Sequence, residues 1–381
     1  MKKIITVIGA RPQIIKSAAI SRAIKNNFSD KIQEIIVHTG QHYDENMSQL
    51  FFDELEMPIP NYNLAIGSGT HATQTAKMLE GLETIYLQEK PDAVLVYGDT
   101  NSTLAGALAA SKIHIPVIHV EAGLRSFNKA MPEEINRISC DHMSTLLFTP
   151  SKEGHRNLLN EGFKNNEHLK ASIDQAKVYL CGDIMYDNSL YFSEVSEHKS
   201  KILKKLDIAK NEFILCTIHR DSNTDDKLNL SSIFRALLSI EKTNNLTIVL
   251  PLHPRTKQKM NLNLGEDLLS EIRENKNFKI IPPVGFLDII SLEKNARLII
   301  TDSGGIQKEA FFFKKPCVIL REQTEWIEIV ENGNALIAGS NEQAIRSCSS
   351  TLLNKQDYTF PNFYGDGNAA RFICQKIMEE L

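Results

Sequence analysis

The sequence predicts an α/β protein of two doubly wound, Rossmann-like domains with a cleft between them. Short apolar runs alternate along the whole chain with longer segments of helical period, the order that parallel strands and crossover helices require. The runs are apolar at successive positions, not at alternate ones, which marks strands covered on both faces. A length of 381 residues suits two domains that each bury a core.

The first strand, Ile4–Ile8, follows Met1-Lys2-Lys3 and runs straight into Gly9, an apolar stretch too short for a signal peptide. Ile14–Lys25 then has helical spacing, with Pro12 suited to a first helical turn. The later strands of the first half are Ile35–His38, Ala93–Tyr97, Val117–Val120, Leu146–Phe148 and Val178–Leu180. Helical segments between them are Ala72–Gln88, Ser102–Ser111 and Glu133–Met143, and the polar stretch Glu161–Lys177 reads as a surface loop. A boundary near Gly182-Asp183 separates a first domain, 1–182, from a second, 183–367. The charged segment Ser196–Lys210 opens that second domain as a helix. Its strands are Phe213–Thr217, Thr247–Leu250, Lys279–Ile281, Leu298–Ile300 and Cys317–Leu320. Its helices include Lys227–Ile240, Phe286–Glu293, Ile306–Phe313 and Glu342–Leu353, and a last helix over 368–381 is expected to rejoin the first domain.

An apolar content of 42% with 24% charged residues is that of an ordinary globular protein. The formal net charge of −4 offers no global attraction for nucleic acid or an anionic membrane, so an anionic ligand must be met by local donors. No run of about 18 apolar residues is present, so membrane insertion is not expected. The six cysteines are scattered, with no CxxC pair and no neighbouring paired histidines. That usage suits the reducing cytoplasm and argues against a disulfide framework or a structural metal site.

Ligands of doubly wound sheets bind at the carboxyl ends of the strands, and this chain places its unusual residues there. Thr301-Asp302-Ser303-Gly304-Gly305 follows an apolar run and leads into a helical segment carrying Glu309. Free backbone N–H groups and the positive end of a helix make such a turn a cradle for a diphosphate, with Glu309 placed to accept bonds from ribose hydroxyls. The plainer reading is a helix start capped by Ser303. The pattern is neither GxxxxGK[ST] nor GxGxxG, so it points to neither an ATPase nor a nicotinamide enzyme.

In the first half, Arg11 and Lys16 lie near a helix start, Asp99 at a strand tip, Glu121 after the next strand, and Glu133 and Glu134 behind Pro132. Singly, Asp99 reads as a helix cap, Glu133 and Glu134 as first-turn charges and Arg11 as an ion-pair partner. Together, carboxylates at neighbouring strand ends converge on one crevice, where their pKa values move apart and acid/base pairs arise. In the second half, His219, His253, Ser303 and Arg321 all follow strands, gathering cations and N–H donors. A nucleotide diphosphate anchored by the second domain, with its sugar presented to carboxylates of the first, fits this arrangement.

At this point the chain resembles the non-hydrolysing UDP-N-acetylglucosamine 2-epimerases over nearly its whole length. The resemblance rests on Gly9-Ala10-Arg11-Pro12 with Lys16, Thr39-Gly40-Gln41-His42, Val96-Tyr97-Gly98-Asp99-Thr100 and His119-Val120-Glu121-Ala122-Gly123-Leu124-Arg125. It continues through Pro132-Glu133-Glu134-Ile135-Asn136-Arg137, Thr217-Ile218-His219-Arg220, His253-Pro254 and Asp302-Ser303-Gly304-Gly305-Ile306-Gln307, in the family's order. It implies a GT-B-like two-domain fold, a homodimer, no metal or redox cofactor, and interconversion of UDP-GlcNAc and UDP-ManNAc for bacterial surface polysaccharides. The implied route removes the C2 proton as UDP leaves C1, holds a 2-acetamidoglucal, and re-adds UDP after reprotonation on the other face. Inversion at C2 needs proton transfer on both faces, hence more than one carboxylate: Asp99, Glu121 and Glu133. His219, Arg11, Lys16 and the amides at Ser303 and Gly304 are assigned to the departing UDP. Arg137 and Arg321 are expected to orient carboxylates or phosphates, and Asn101 or Ser102 to touch the sugar. By resemblance Gln41, His42 and His253 map to the region where some members bind a second UDP-GlcNAc as activator.

The chain departs from the family pattern at Gln13, where many members have Glu; at Ser222, also a Glu position; and at Trp326-Ile327, where many have Arg-Pro. These departures look more like the branch that epimerises UDP-2,3-diacetamido-2,3-dideoxy-glucuronate, and Ser222 puts the regulatory carry-over in question. A hydrolysing 2-epimerase, a GT-B glycosyltransferase and a non-enzymatic UDP-sugar-binding module are the competing readings.

Overall fold

The computed structural model describes residues 1–41, 52–164 and 169–381. Two compact units divide it: Met1–Asn188 together with Asn362–Leu381, and Ser189–Pro361.

The first unit is built on seven parallel strands: β1 (Lys2–Ile8), β2 (Ile32–His38), β3 (Tyr62–Asn63), β4 (Ala93–Tyr97), β5 (Val117–Val120), β6 (Leu146–Thr149) and β7 (Lys177–Leu180). Their order is β3-β2-β1-β4-β5-β6-β7, so the winding reverses between β1 and β4. Ile5 pairs with Ile35 on one side and Val94 on the other. Ile5, Val7, Val37, Val94 and Val96 pack under Met78, Leu82 and Tyr86 of the helix His71–Glu89 and under Ala105 and Ala109 of the helix Asn101–Lys112. Small residues on that second helix let it lie close to the sheet; a Cβ on Gly106 would stand 3.1 Å from Val96. Each fully buried Val, Leu or Ile contributes about 1.5–3 kcal/mol.

The second unit repeats the plan with six strands, β8 (Phe213–Thr217), β9 (Thr247–Pro251), β10 (Phe278–Ile281), β11 (Leu298–Thr301), β12 (Cys317–Ile319) and β13 (Ala335–Ile337). The order β10-β9-β8-β11-β12-β13 reverses between β8 and β11. Leu230, Ile233, Phe234 and Leu237 follow the i, i+3, i+4, i+7 spacing of one helical face and bury it against Ile214, Ile248 and Leu250.

All the expected strands form, and the doubly wound α/β class holds. The two strands missing from the sequence reading, β3 and β13, have only two and three residues, too few to show a pattern. The helix expected over Ile306–Phe313 begins instead at Gly304. The glycines form its first turn, because Ser303 is the capping residue and its side chain accepts the Ile306 N–H. The helix expected from Ser196 starts at Ile184, runs to Lys199, and is followed by a short turn of helix, Ile202–Leu206. The last helix, Ala369–Glu380, lies within the first unit, where the Asp187 carboxylate accepts the N–H groups of Ala369 (3.1 Å) and Ala370 (2.8 Å). Glu380 at its far end pairs with Lys177 at 2.8 Å. Among the described residues no helix is long and apolar enough to cross a membrane. All six cysteines are free; Cys216 and Cys317 are buried, while Cys181 is only half-buried.

Candidate functional site

In the first unit the candidate residues gather at the carboxyl ends of β1, β4 and β5, on both sides of the strand-order reversal, where doubly wound sheets bind ligands. The turn after β1 is held by Gln13, which is 1% exposed. Its side-chain oxygen accepts the N–H groups of Gly9 (2.9 Å) and Ala10 (3.1 Å), and its amide donates to Tyr97 O (3.0 Å) and Thr103 Oγ1 (2.9 Å). A Cβ on Gly9 would come within 2.1 Å of Ser102 Oγ and Thr39 Oγ1, so only glycine fits that turn. The departure at Gln13 thus serves to join β1 to β4, with donors a carboxylate lacks. Arg11 is exposed at the start of the helix Arg11–Ala23. Lys16, one turn on, forms an ion pair with Glu121.

Asp99 follows Gly98, which has φ +61°, and its carboxylate meets Arg137 at 2.5 Å. Burial raises the Asp99 pKa above the usual carboxylate value; Arg137 and Lys16 oppose that shift and Glu121 adds to it. Glu121 itself has φ +74°, a left-handed conformation that strains a residue with a Cβ. Its place is held by two bonds, since Glu121 N–H and Ala122 N–H both donate to Phe148 O at 3.0 Å.

Beneath these two carboxylates lies a buried pair that the sequence reading did not assign to the site. His119 and Asp141 are both fully buried, with His119 Nδ1 at 2.7 Å from Asp141 Oδ1 and Nε2 at 2.8 Å from Gly98 O. The other Asp141 oxygen accepts Gly123 N–H at 3.1 Å and meets Arg125 at 2.8 Å. The pair therefore ties the turn before Asp99 to the turn after Glu121. Burial would lower the His119 pKa, but Cys140 and Asp141 outweigh it and hold the imidazole well above its ordinary value. In the sequence His119 stands out as a histidine inside an otherwise apolar strand and as the start of the His119-to-Arg125 motif, whereas nothing marks Asp141.

The helix Pro132–Met143 supplies the other wall. Asn136 donates to Asp99 O at 2.8 Å, and Arg137 reaches Asp99 and Glu134. Glu134 is the inward member of the Glu133-Glu134 pair, 1% exposed, accepting from Ser126 N–H, Ser126 Oγ–H and Phe127 N–H. Glu133 is exposed on the first turn. Asn101 is buried, donating to Gln74 Oε1 at 2.9 Å and facing His71. Gln41 accepts from Ser102 N–H (3.1 Å) and Ser102 Oγ–H (2.7 Å). His42 lies outside the described residues.

The second unit gathers a different chemistry at the ends of β8 and β11, again at its strand-order reversal. Asp302 is fully buried and organises it: its carboxylate accepts His219 N–H, Arg220 N–H (3.0 Å) and Asn223 Nδ2–H (3.0 Å). In the sequence Asp302 is one residue of a glycine motif, and its partners lie some eighty positions away, beyond any local signal. His219 has its ring nitrogen 3.9 Å from Asp302. Desolvation lowers its pKa, Asp302 opposes that shift, and nearby His253 reinforces it, so the imidazole is neutral at neutral pH. His253, exposed, caps the helix Pro254–Asn263.

Of the backbone donors in the glycine turn, Ser303 N–H is given to Thr301 Oγ1 at 2.9 Å. Gly304 and Gly305 occupy the first two helical positions, whose N–H groups have no acceptor within a helix. Arg321 pairs with Glu325 at 2.8 Å, and Glu325 Oε1 would be 2.4 Å from any Cβ on Gly304. Glu309 is half-buried one turn along, near Glu293, whose carboxyl is pushed well above the usual range by burial and then by Glu309.

The first unit thus joins Asp99, Glu121, Lys16 and Arg137, two carboxylates held against two cations, suited to moving protons. The second joins His219 and His253 beside open helix-start amides, suited to a phosphate group. No cluster of His, Cys, Asp and Glu arranged to hold a metal occurs among the described residues.

A family model described as UDP-N-acetylglucosamine 2-epimerase matches residues 23–378. A UDP-N-acetylglucosamine 2-epimerase homolog of Methanococcus maripaludis is 49% identical, over 100% of this chain and 99% of that protein. The UDP-2,3-diacetamido-2,3-dideoxy-D-glucuronate 2-epimerase of Pseudomonas aeruginosa is 46% identical, over 98% and 99%. Among solved structures, UDP-GlcNAc 2-epimerase of Methanocaldococcus jannaschii in complex with UDP-GlcNAc and UDP superposes with a TM-score of 0.82 at 41% identity, covering 100% of both chains.

Proposed function

The chain belongs to the UDP-N-acetylglucosamine 2-epimerase family, and from that premise we propose how its residues carry the reaction. It is an enzyme, an epimerase acting on UDP-GlcNAc, with a GT-B-like α/β architecture. The observation that carries the residue assignment is the cluster of Asp99 and Glu121 with Lys16 and Arg137.

The C2–H of the sugar is a weak acid, so its removal must be coupled to loss of a good leaving group. A base takes the proton, the C–H pair forms the C1–C2 double bond, and the C1–O bond breaks with its electrons leaving on UDP. The product, a 2-acetamidoglucal, accepts UDP at C1 again while a second group protonates C2 from the other face. Two carboxylates whose protonation is set apart by burial and by cations suit that exchange of roles. Asp99 and Glu121 are the groups proposed, with Glu133, on the first turn of the helix Pro132–Met143, a third carboxylate. Lys16 and Arg137 hold the two carboxylates in place. His219, neutral, donates a hydrogen bond to the leaving diphosphate, as do the Gly304 and Gly305 amides, with Arg321 close by; Arg11 adds positive charge. Glu309 is proposed to hold the ribose. Asn101 contacts the sugar, and Gln41 and His253 remain candidates for an activator site.

The second reading, the diacetamido-glucuronate, is favoured by one observation: the Pseudomonas enzyme is 46% identical, above the 42% of two proteins named UDP-N-acetylglucosamine 2-epimerase, though below the 49% of the Methanococcus maripaludis UDP-N-acetylglucosamine 2-epimerase homolog. Incubation in D2O with each UDP-sugar separates the two by which one takes up deuterium at C2. Asp99→Asn and Glu121→Gln should abolish exchange yet retain UDP; full activity in either removes that residue from the set. Stoichiometric release of free UDP would instead mark a hydrolysing enzyme. A homodimer in the cytoplasm completes the proposal, supported by the family and by six free cysteines, and light scattering on the purified protein tests the dimer.

A further inference from the structure

Trp326 bonds to the glycine turn of the second unit, directly and through its neighbour Thr324. Trp326 is 7% exposed, its indole Nε1–H donates to Gly304 O at 2.9 Å, and its backbone N–H donates to Thr324 Oγ1 at 3.2 Å. Thr324 in turn donates to Gln307 Oε1 at 2.6 Å. Lys308, itself 5% exposed, lies over the indole face, 4.2 Å from the ring centroid. The segment Arg321–Trp326 therefore grips the first turn of the helix Gly304–Phe312 at Gly304, Gln307 and Lys308.

Gly304 O and Gly305 N–H are the two ends of one planar, trans peptide. A bond that fixes the carbonyl also fixes the direction of the N–H, and donation to the carbonyl polarises the amide and strengthens it as a donor. Two successive glycines bring no side chain to restrain this peptide, so the indole bond adds to what the helix itself supplies. Gly305 is exposed, and its N–H belongs to the first helical turn, where an amide has no acceptor within the helix.

We propose that Trp326 is a positioning residue for diphosphate binding: its indole N–H locks the Gly304–Gly305 peptide so that the Gly305 amide is held ready for a phosphate oxygen. This rests on the diphosphate reading given above, and the experiment separates the two. Trp326→Phe keeps the ring over Lys308 and removes only the N–H. By calorimetry it should weaken UDP binding about three- to ten-fold, the loss of one hydrogen bond, and leave uridine, which lacks phosphates, unchanged. In the ligand-free protein the Gly305 amide nitrogen resonance should move, a readout that needs no ligand. An unmoved resonance, an unchanged UDP affinity, or equal losses for UDP and uridine would overturn the proposal. Gly305→Ala tests the reading beneath it. A Cβ there meets nothing nearer than Ser303 Oγ at 3.9 Å, so the fold accepts it while the phosphate is crowded out. If Gly305→Ala leaves the UDP-to-uridine ratio unchanged, the diphosphate does not sit on this turn; if it lowers the ratio and Trp326→Phe does not, only the role of Trp326 fails.

Discussion

Arg137 reaches Asp99 with one guanidinium nitrogen and Glu134 with another, and that double pairing sets the protonation of a proposed base. Burial pushes the Asp99 pKa up and Arg137 is the largest force pulling it down. In Arg137→Gln the pull is lost, the pKa rises further, and a base that must be deprotonated works only at higher pH. The acid limb of the pH profile for C2 exchange should therefore move to higher pH; an unmoved limb assigns that titration to another group. Glu293 makes the opposite case. Its folded-state pKa lies well above the unfolded value, so the folded chain holds the proton more tightly and loses stability as pH rises from the unfolded pKa towards the folded one. Glu293→Gln removes that loss. Urea denaturation at pH 5 and pH 8 should show the variant gaining on the parent at the higher pH, and equal differences at both would contradict a neutral Glu293.

The helix Pro132–Met143 depends on Glu134 as much as on its apolar face. Three donors from Ser126 and Phe127 converge on that buried carboxylate, fixing the chain that leads into the helix. Burial alone would raise its pKa, yet those bonds and Arg137 hold it below the ordinary value. Glu134→Ala leaves two backbone N–H groups without an acceptor and should cost about 1–3 kcal/mol, measured by urea denaturation at neutral pH. A change below about 0.5 kcal/mol would indicate that water replaces the carboxylate. This role was hidden in the sequence. Glu133 and Glu134 are equally suited to a helix start, and only the helix's rotation against the sheet buries one and exposes the other. The glycine helix differs: Ser303 is readable as its cap from sequence, and the helix indeed begins at Gly304.

For the molecule as a whole, the chain's last twenty residues belong to the unit formed by its first half. Lys2 Nζ donates to Leu381 O at 2.9 Å, Lys177 pairs with Glu380, and Asp187 caps the final helix. Removing Asn362–Leu381 should therefore destabilise residues 1–188 and spare 189–361, although the cut lies next to the latter in sequence. Hydrogen exchange followed by mass spectrometry reads both units at once. Faster exchange confined to 189–361 would contradict the assignment.

The α/β class, the doubly wound sheets and the positions at which chemistry could occur are all legible in the amino-acid order. Strand identity is written in consecutive apolar residues, and the topology obliges ligands to meet strand ends, so Asp99, Glu121, His219 and Ser303 were visible there. Which of them meet depends on the packed fold. The joining of Asp99 to Arg137, Glu121 to Lys16 and His219 to Asp302 spans from 38 to 105 positions of chain, and no local pattern encodes a contact across that distance. The fold also decided what each residue is for: Gln13, Asp141, Glu134 and Asp302 are ordinary polar residues until burial forces each to find its partners. Burial is a property of the packed fold, and with it come the shifted pKa values on which the proposed chemistry depends.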